Sequence, residues 1–128
     1  MPITKKYLTE LTYKVIGCAI EVHKHLGPGL LESVYEKCFC HELDLRGIPY
    51  VRQQRIEICY EDLILPDELI ADIIVADKII VELKAQDNPH PVWQAQLLSY
   101  LKLAGKRLGF LINFHVTIMK NGIKRIVL

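Results

Sequence analysis

The chain has 128 residues, 51% of them hydrophobic and 24% charged, with a formal net charge of +1. That composition excludes a disordered chain, and the near-neutral balance excludes the broad basic field of a strong non-specific DNA binder. The length predicts one domain over 1–128, able to bury roughly two-thirds of its unfolded surface. No apolar run reaches the roughly 18 residues of a membrane span, and the start, M-P-I-T-K-K-Y, lacks a signal-peptide core, so a cytoplasmic protein with no membrane partner is expected.

Thr9–Leu26 predicts a first helix, because Leu11, Val15, Cys18, Ala19, Val22 and Leu26 recur at three- and four-residue steps. Gly27-Pro28-Gly29 stops it. A second helix is expected from about Leu30 to Leu45, ending at Gly47, with Leu31, Val34, Tyr35, Cys38 and Leu45 as its buried side. Tyr50–Tyr60 alternates as an ordinary first strand, and Leu63–Leu65 reads as a short strand before Pro66-Asp67 turns the chain. Glu61-Asp62 reads as a solvated loop pair. Cys18, Cys38, Cys40 and Cys59 form no C-x-x-C pair and lie in apolar segments, so reduced, buried thiols are expected rather than zinc or an iron–sulfur cluster.

Ile70–Ala85, I-A-D-I-I-V-A-D-K-I-I-V-E-L-K-A, is almost entirely apolar, as in a strand pair buried on both faces. Away from the reversal at Asp77-Lys78, three charges interrupt it: Asp72, Glu82 and Lys84. Buried carboxylates are costly unless paired or bound to a metal. A three-residue connection (Ala76, Asp77, Lys78) would pair Val75 with Ile79 and set Asp72 opposite Glu82, sharing a face with Lys84. A two-residue turn would throw Asp72 to the far side. Two carboxylates with no sulfur or imidazole between them make a hard oxygen site suited to magnesium or manganese, and the lysine could orient a water or stabilise charge on a phosphate. The same residues could equally be a surface hairpin of solvated charges.

Gln86–Pro91 reads as a loop, followed by a helix over about Pro91–Ala104 that ends at Gly105. Gln96 and Tyr100, four apart, share a face of it, flanked by Trp93 and Leu97. Lys102, Lys106 and Arg107 could meet phosphate or simply form a solvated end. Leu108–Phe114 (L-G-F-L-I-N-F) predicts a buried strand, and Val116–Met119 with Ile123–Val127 a last hairpin closing on Asn121-Gly122. The order α-α-β-β-β-α-β-β implies an α/β fold with a mixed central sheet flanked by helices. The crossover through the third helix should be right-handed and join parallel strands, with the acidic residues gathered under the two N-terminal helices.

Three motifs carry a resemblance. Asp72 followed by Glu82-Leu83-Lys84 looks like the D…(D/E)-x-K core of the PD-(D/E)XK nuclease superfamily. Gly29-x-x-Glu32-x-x-Tyr35 resembles the signature of the GxxExxY family within it, as do the C-terminal segments L-G-F-L-I-N-F and G-I-K-R-I-V. Gln96-x-x-x-Tyr100 is similar to the Q-x-x-x-Y motif of the RecB-type branch, and falls on the helix directly after the E-x-K strand. The resemblance spans nearly the whole chain. It implies a restriction-endonuclease-like fold and metal-dependent hydrolysis of phosphodiester bonds in nucleic acid, DNA ahead of RNA. Asp72, Glu82 and the backbone carbonyl of Leu83 would hold Mg2+ or Mn2+, with Glu32, otherwise a dipole-complementing helix-start residue, completing the site. His23 on the first helix is a further candidate ligand, though its place near an apolar face also suits a hydrogen-bonded core histidine. Lys84 would act on the water or the transition state, and Gln96 and Tyr100 on Lys84 and the nucleic-acid backbone, with Lys102 a weaker phosphate contact. A homodimer would suit a duplex substrate. The alternative is a catalytically silent nucleic-acid-binding or protein-interaction module on a nuclease fold.

Overall fold

A computed structural model of the chain describes residues 4–128; the first three residues of the N-terminal segment lie outside them. Thr4 accepts a hydrogen bond from the Tyr7 N–H (3.0 Å), and this cap starts α1 at Lys5, a full turn before the apolar stripe begins. Helix α1 runs Lys5–Leu26 and buries Leu11, Val15, Cys18, Ala19 and Val22. Gly27, at φ 68°, ends it and donates its N–H to the His23 carbonyl.

Helix α2 (Glu32–Leu45) follows, then strands β1 (Tyr50–Tyr60), β2 (Leu63–Val75) and β3 (Ile79–Lys84). Helix α3 (Val92–Ala104), strand β4 (Leu108–Asn113), a 3-10 turn (Met119–Gly122) and strand β5 (Ile123–Val127) complete the chain. The strands form one sheet in the order β1-β2-β3-β4-β5, antiparallel except for β3 and β4, which the α3 crossover makes parallel. The architecture is α/β, one mixed five-stranded sheet with helices on both faces.

The sheet carries a core on each face. Helices α1 and α2 pack Val15, Tyr35, Phe39 and Leu43 on Ile73, Val81, Leu83, Phe110 and Ile112. On the other side α3 packs Trp93, Leu97, Tyr100 and Leu101 on Ile56, Ile74, Ile80 and Leu111. Gly109 permits the second packing, because a Cβ there would come within 3.1 Å of both the Ile80 carbonyl and a Leu97 methyl.

Several expectations are corrected. The strand after Phe114 does not form: Val116–Met119 belongs to a loop and the 3-10 turn, and β5 pairs with β4 itself. Gly122 is needed there for space rather than for a hairpin, since a side chain would collide with the Asn113 carbonyl. Leu63–Leu65 is continuous with the Asp72 strand. Instead of turning the chain, Pro66 lies where the β1–β2 register shifts between Ile56 and Ile58, a place in a strand that tolerates proline. The predicted buried side of α2 is rotated: Leu31, Val34 and Leu45 are exposed, while Phe39, Cys40, Leu43 and the charged Glu36 turn inward with Tyr35. Cys59 is exposed, Cys18 and Cys40 are buried, and all four thiols are free.

Candidate metal and catalytic centre

The β2–β3 connection decides the site. Ala76 and Asp77 adopt φ 51° and 55°, and the Lys78 N–H closes on the Val75 carbonyl at 2.9 Å. Lys78 is then the extra residue that sets the ladder to Val75–Ile79, Ile74–Ile80 and Ile73–Val81. Continued by one pair, that register places Asp72 opposite Glu82, as the three-residue connection predicts.

At that pair the carboxylates replace the ladder. The Asp72 N–H donates to Glu82 Oε1 (3.1 Å), and the Leu83 N–H donates to Asp72 Oδ2 (2.9 Å). The strands part around two side chains that each satisfy the opposite backbone, so the Asp72 and Leu83 N–H groups both keep an acceptor. The β1 neighbour is distorted too. Gln53, across from Asp72 between the pairs Arg52–Ile73 and Gln54–Ala71, has φ 50°, a left-handed conformation rare for glutamine. Ala71 and Ile73, two apart, belong to cores on opposite faces, so β2 loses its two-residue period at Asp72. Two hydrophobic layers thus hold the carboxylate at a break in the sheet.

The expected gathering of acids under the N-terminal helices holds only in part. Glu82 and Lys84 share the face of Ile80, which α3 covers, and Lys84 Nζ lies 5.4 Å from the centroid of the Trp93 ring. From the N-terminal helices Glu32 approaches, at the first turn of α2. Partial desolvation and then the nearby Asp72 raise its carboxyl above the usual range, with Lys84 opposing. Glu82 is only 5% exposed, and burial followed by the Asp72 carboxylate pushes its pKa up to about 9. Tyr100 is buried on α3, and its phenol is raised by that burial and then by Glu82 and Asp72. It therefore remains a hydrogen-bond donor beside the acids.

Gln96 lies one turn before Tyr100 on α3, open to solvent. Lys102 is exposed on the last turn of that helix, and Lys106 is committed to Asp77 at 2.8 Å. The Nε2 of His23 donates to the Val116 carbonyl at 2.8 Å, tying α1 to the loop before β5.

Three supports escaped the sequence reading. Tyr35 stacks on Phe114 with ring centroids 4.4 Å apart, donates to the Gly27 carbonyl (2.5 Å) and accepts from the Leu30 N–H (3.2 Å). It clamps the loop that launches Glu32. Glu36, one turn further on, accepts from Arg52 (2.7 Å) and Gln53 (2.8 Å) and anchors α2 to the distorted stretch of β1. Asn113, buried at the end of β4, accepts from the Gln86 N–H and donates to its carbonyl, fixing the chain just after Lys84. Asn113 was visible as the one polar residue of L-G-F-L-I-N-F, and Tyr35 as the last position of its motif. Nothing in the sequence marked Glu36 as buried.

The chemistry of the donors is all oxygen. Asp72 and Glu82 each keep one carboxylate oxygen outside the two hydrogen bonds described, which suits a magnesium-sized ion that keeps several waters and takes one or two carboxylates. Among the described residues no group of three or more His, Cys, Asp or Glu side chains is arranged around a common metal position. The fit is therefore to a hydrated ion rather than to a closed protein cage.

A restriction-endonuclease-like sheet, split at an opposed Asp–Glu pair with a lysine two residues on, defines a nuclease-type scaffold. The family model of the PD-(D/E)XK nuclease superfamily matches residues 9–126, and the chain belongs to that superfamily. No curated protein and no solved structure matches it significantly.

Proposed function

We propose that the protein is a metal-dependent nuclease that hydrolyses phosphodiester bonds of nucleic acid, DNA ahead of RNA. The observation that carries the reading is the β2–β3 register, which opposes Asp72 to Glu82 and sets Lys84 on the same face as Glu82. In this reading Asp72, Glu82 and the Leu83 carbonyl hold Mg2+ or Mn2+, and Glu32 approaches from α2 through water. Such an ion lowers the pKa of a bound water and neutralises charge on the scissile phosphate.

The remaining work falls to side chains. Lys84 positions the attacking water or meets the developing negative charge. Trp93 limits where Lys84 can point, and Tyr100 offers its hydroxyl on the same face. Gln96, open to solvent, is placed to touch the nucleic-acid backbone, and Lys102 to meet a flanking phosphate. His23 stands as a further ligand through Nδ1, because an Nε2–H bond to a backbone carbonyl, here that of Val116, is the usual support of a metal-ligating histidine. Free thiols suit the reducing cytoplasm, where we place the protein.

The test is hydrolysis of single- and double-stranded DNA and RNA with Mg2+ or Mn2+. Cleavage that vanishes with chelator and in a Lys84→Ala variant that melts like the wild type supports the reading. Full activity in that variant overturns it. The near-neutral charge favours a second reading, a silent nucleic-acid-binding or interaction module. Binding without cleavage, weakening as salt rises, would select that one.

A further inference from the structure

Strand β1 is an open edge of the sheet, and its 11 residues present unpaired backbone groups along one side. A groove of about 710 Å3 runs along that edge, walled by Val51, Arg55, Ile56 and Cys59 on one side and by Leu103 and Ala104 of α3 on the other. A groove between a free strand and a helix is the geometry in which an added strand docks. The β1–β2 arm beyond it exposes Tyr60, Leu63 and Ile64. The arm also carries Glu57, Glu61, Asp62, Asp67 and Glu68 against the single base Arg55. That charge rejects nucleic acid, so the occupant is protein.

We infer that this occupant is a second copy of the chain, pairing β1 to β1 in antiparallel fashion about a two-fold axis at Ile56. The sequence is self-complementary about that residue. Directly opposed residues in such a pair sum to twice 56, so Arg55 faces the partner's Glu57, and Glu57 faces the partner's Arg55. Gln54 likewise faces the partner's Ile58. Ile56 points to the α3 side, so the partner's Ile56 enters the same face, beside the apolar groove wall. One adjustment is needed: the Gln54 side-chain amide now rests on the Arg55 carbonyl at 3.1 Å and must swing aside if that group joins the new ladder. Centring the axis on Glu57 or on Arg55 instead would oppose like charges.

Sedimentation equilibrium across the micromolar range tests the inference on the whole chain. The wild type should approach twice its 14.7 kDa monomer mass. Glu57→Arg, which leaves the Arg55–Asp67 ion pair (2.6 Å) in place, should fall to the single mass by opposing arginines. Arg55→Glu should do the same, and the double exchange of both residues should restore the dimer. A cooperative melt and an unchanged circular dichroism spectrum of Glu57→Arg establish that it folds. As a second readout, amide exchange over 54–58 should slow as wild-type concentration rises. A single-chain mass at every concentration, a dimer indifferent to Glu57→Arg, or a double variant that stays monomeric would overturn the pairing.

Discussion

Glu82 gives the account a stability test that does not depend on knowing the substrate. In the unfolded chain its carboxyl ionises near 4.5, whereas in the folded, metal-free protein burial and Asp72 hold the proton until about pH 9. Folding therefore takes up a proton between those values, and stability must fall as pH rises through that window, being fully kept below it. The slope from this one group is at most about 1.4 kcal/mol per pH unit, so its cost at pH 7 is about 3 kcal/mol relative to acid conditions. Glu82→Gln keeps an acceptor for the Asp72 N–H, gives the site an amide donor and removes the titration. Urea unfolding in chelator at several pH values between 5 and 9 should show the variant increasingly more stable than the wild type as pH rises. Added Mg2+ should reverse the order, by stabilising only the protein whose carboxylate can ionise onto it. Parallel pH profiles for the two proteins would show instead that Glu82 is ionised in the folded chain.

Other positions make independent claims. Tyr35→Phe keeps the stack on Phe114 but removes the bridge between Gly27 and Leu30; we expect about 1–2 kcal/mol of lost stability by denaturant unfolding, and a larger fractional loss of cleavage as Glu32 loosens. Asn113→Ala strips the partners from Gln86 and should cost about 2–3 kcal/mol in the same assay, with faster amide exchange at residues 84–87. Gly122→Ala should lower the melting temperature through its collision with the Asn113 carbonyl, a loss on the order of 2 kcal/mol or more. A Gly122 variant that melts like the wild type would show that the turn relaxes freely.

The parts of the fold that were legible in advance are those set by local period and counting. The spacing of Val75, Asp77 and Ile79 offered two connections, and the three-residue one that forms opposes Asp72 to Glu82. The stripe of α1 and the parallel crossover through α3 followed from the same kind of pattern. The misses arise where tertiary contacts override it. Leu31, Val34 and Leu45 look like a buried helix face, yet Glu36 takes the inner position because Arg52 and Gln53 supply its partners from β1. That pairing joins residues sixteen and seventeen apart, which no local window contains. Asn121-Gly122 has the composition of a hairpin turn, but β5 finds β4 rather than a strand before it. The break at Asp72 was hidden as well. The residues around it are uniformly apolar, and only the two separate cores show that Ala71 and Ile73 face opposite ways. His23 shows the same limit, since its ring bonds the Val116 carbonyl ninety-three residues away.

If the opposed pair is a cation site, calorimetric titration of Mn2+ into metal-free protein will show it, with Asp72→Asn as control. The wild type should bind saturably, with proton release that grows in buffers below pH 9, and the variant should not bind. Equal binding by both proteins, or none by the wild type even with a non-cleavable oligonucleotide present to supply phosphate ligands, would contradict it.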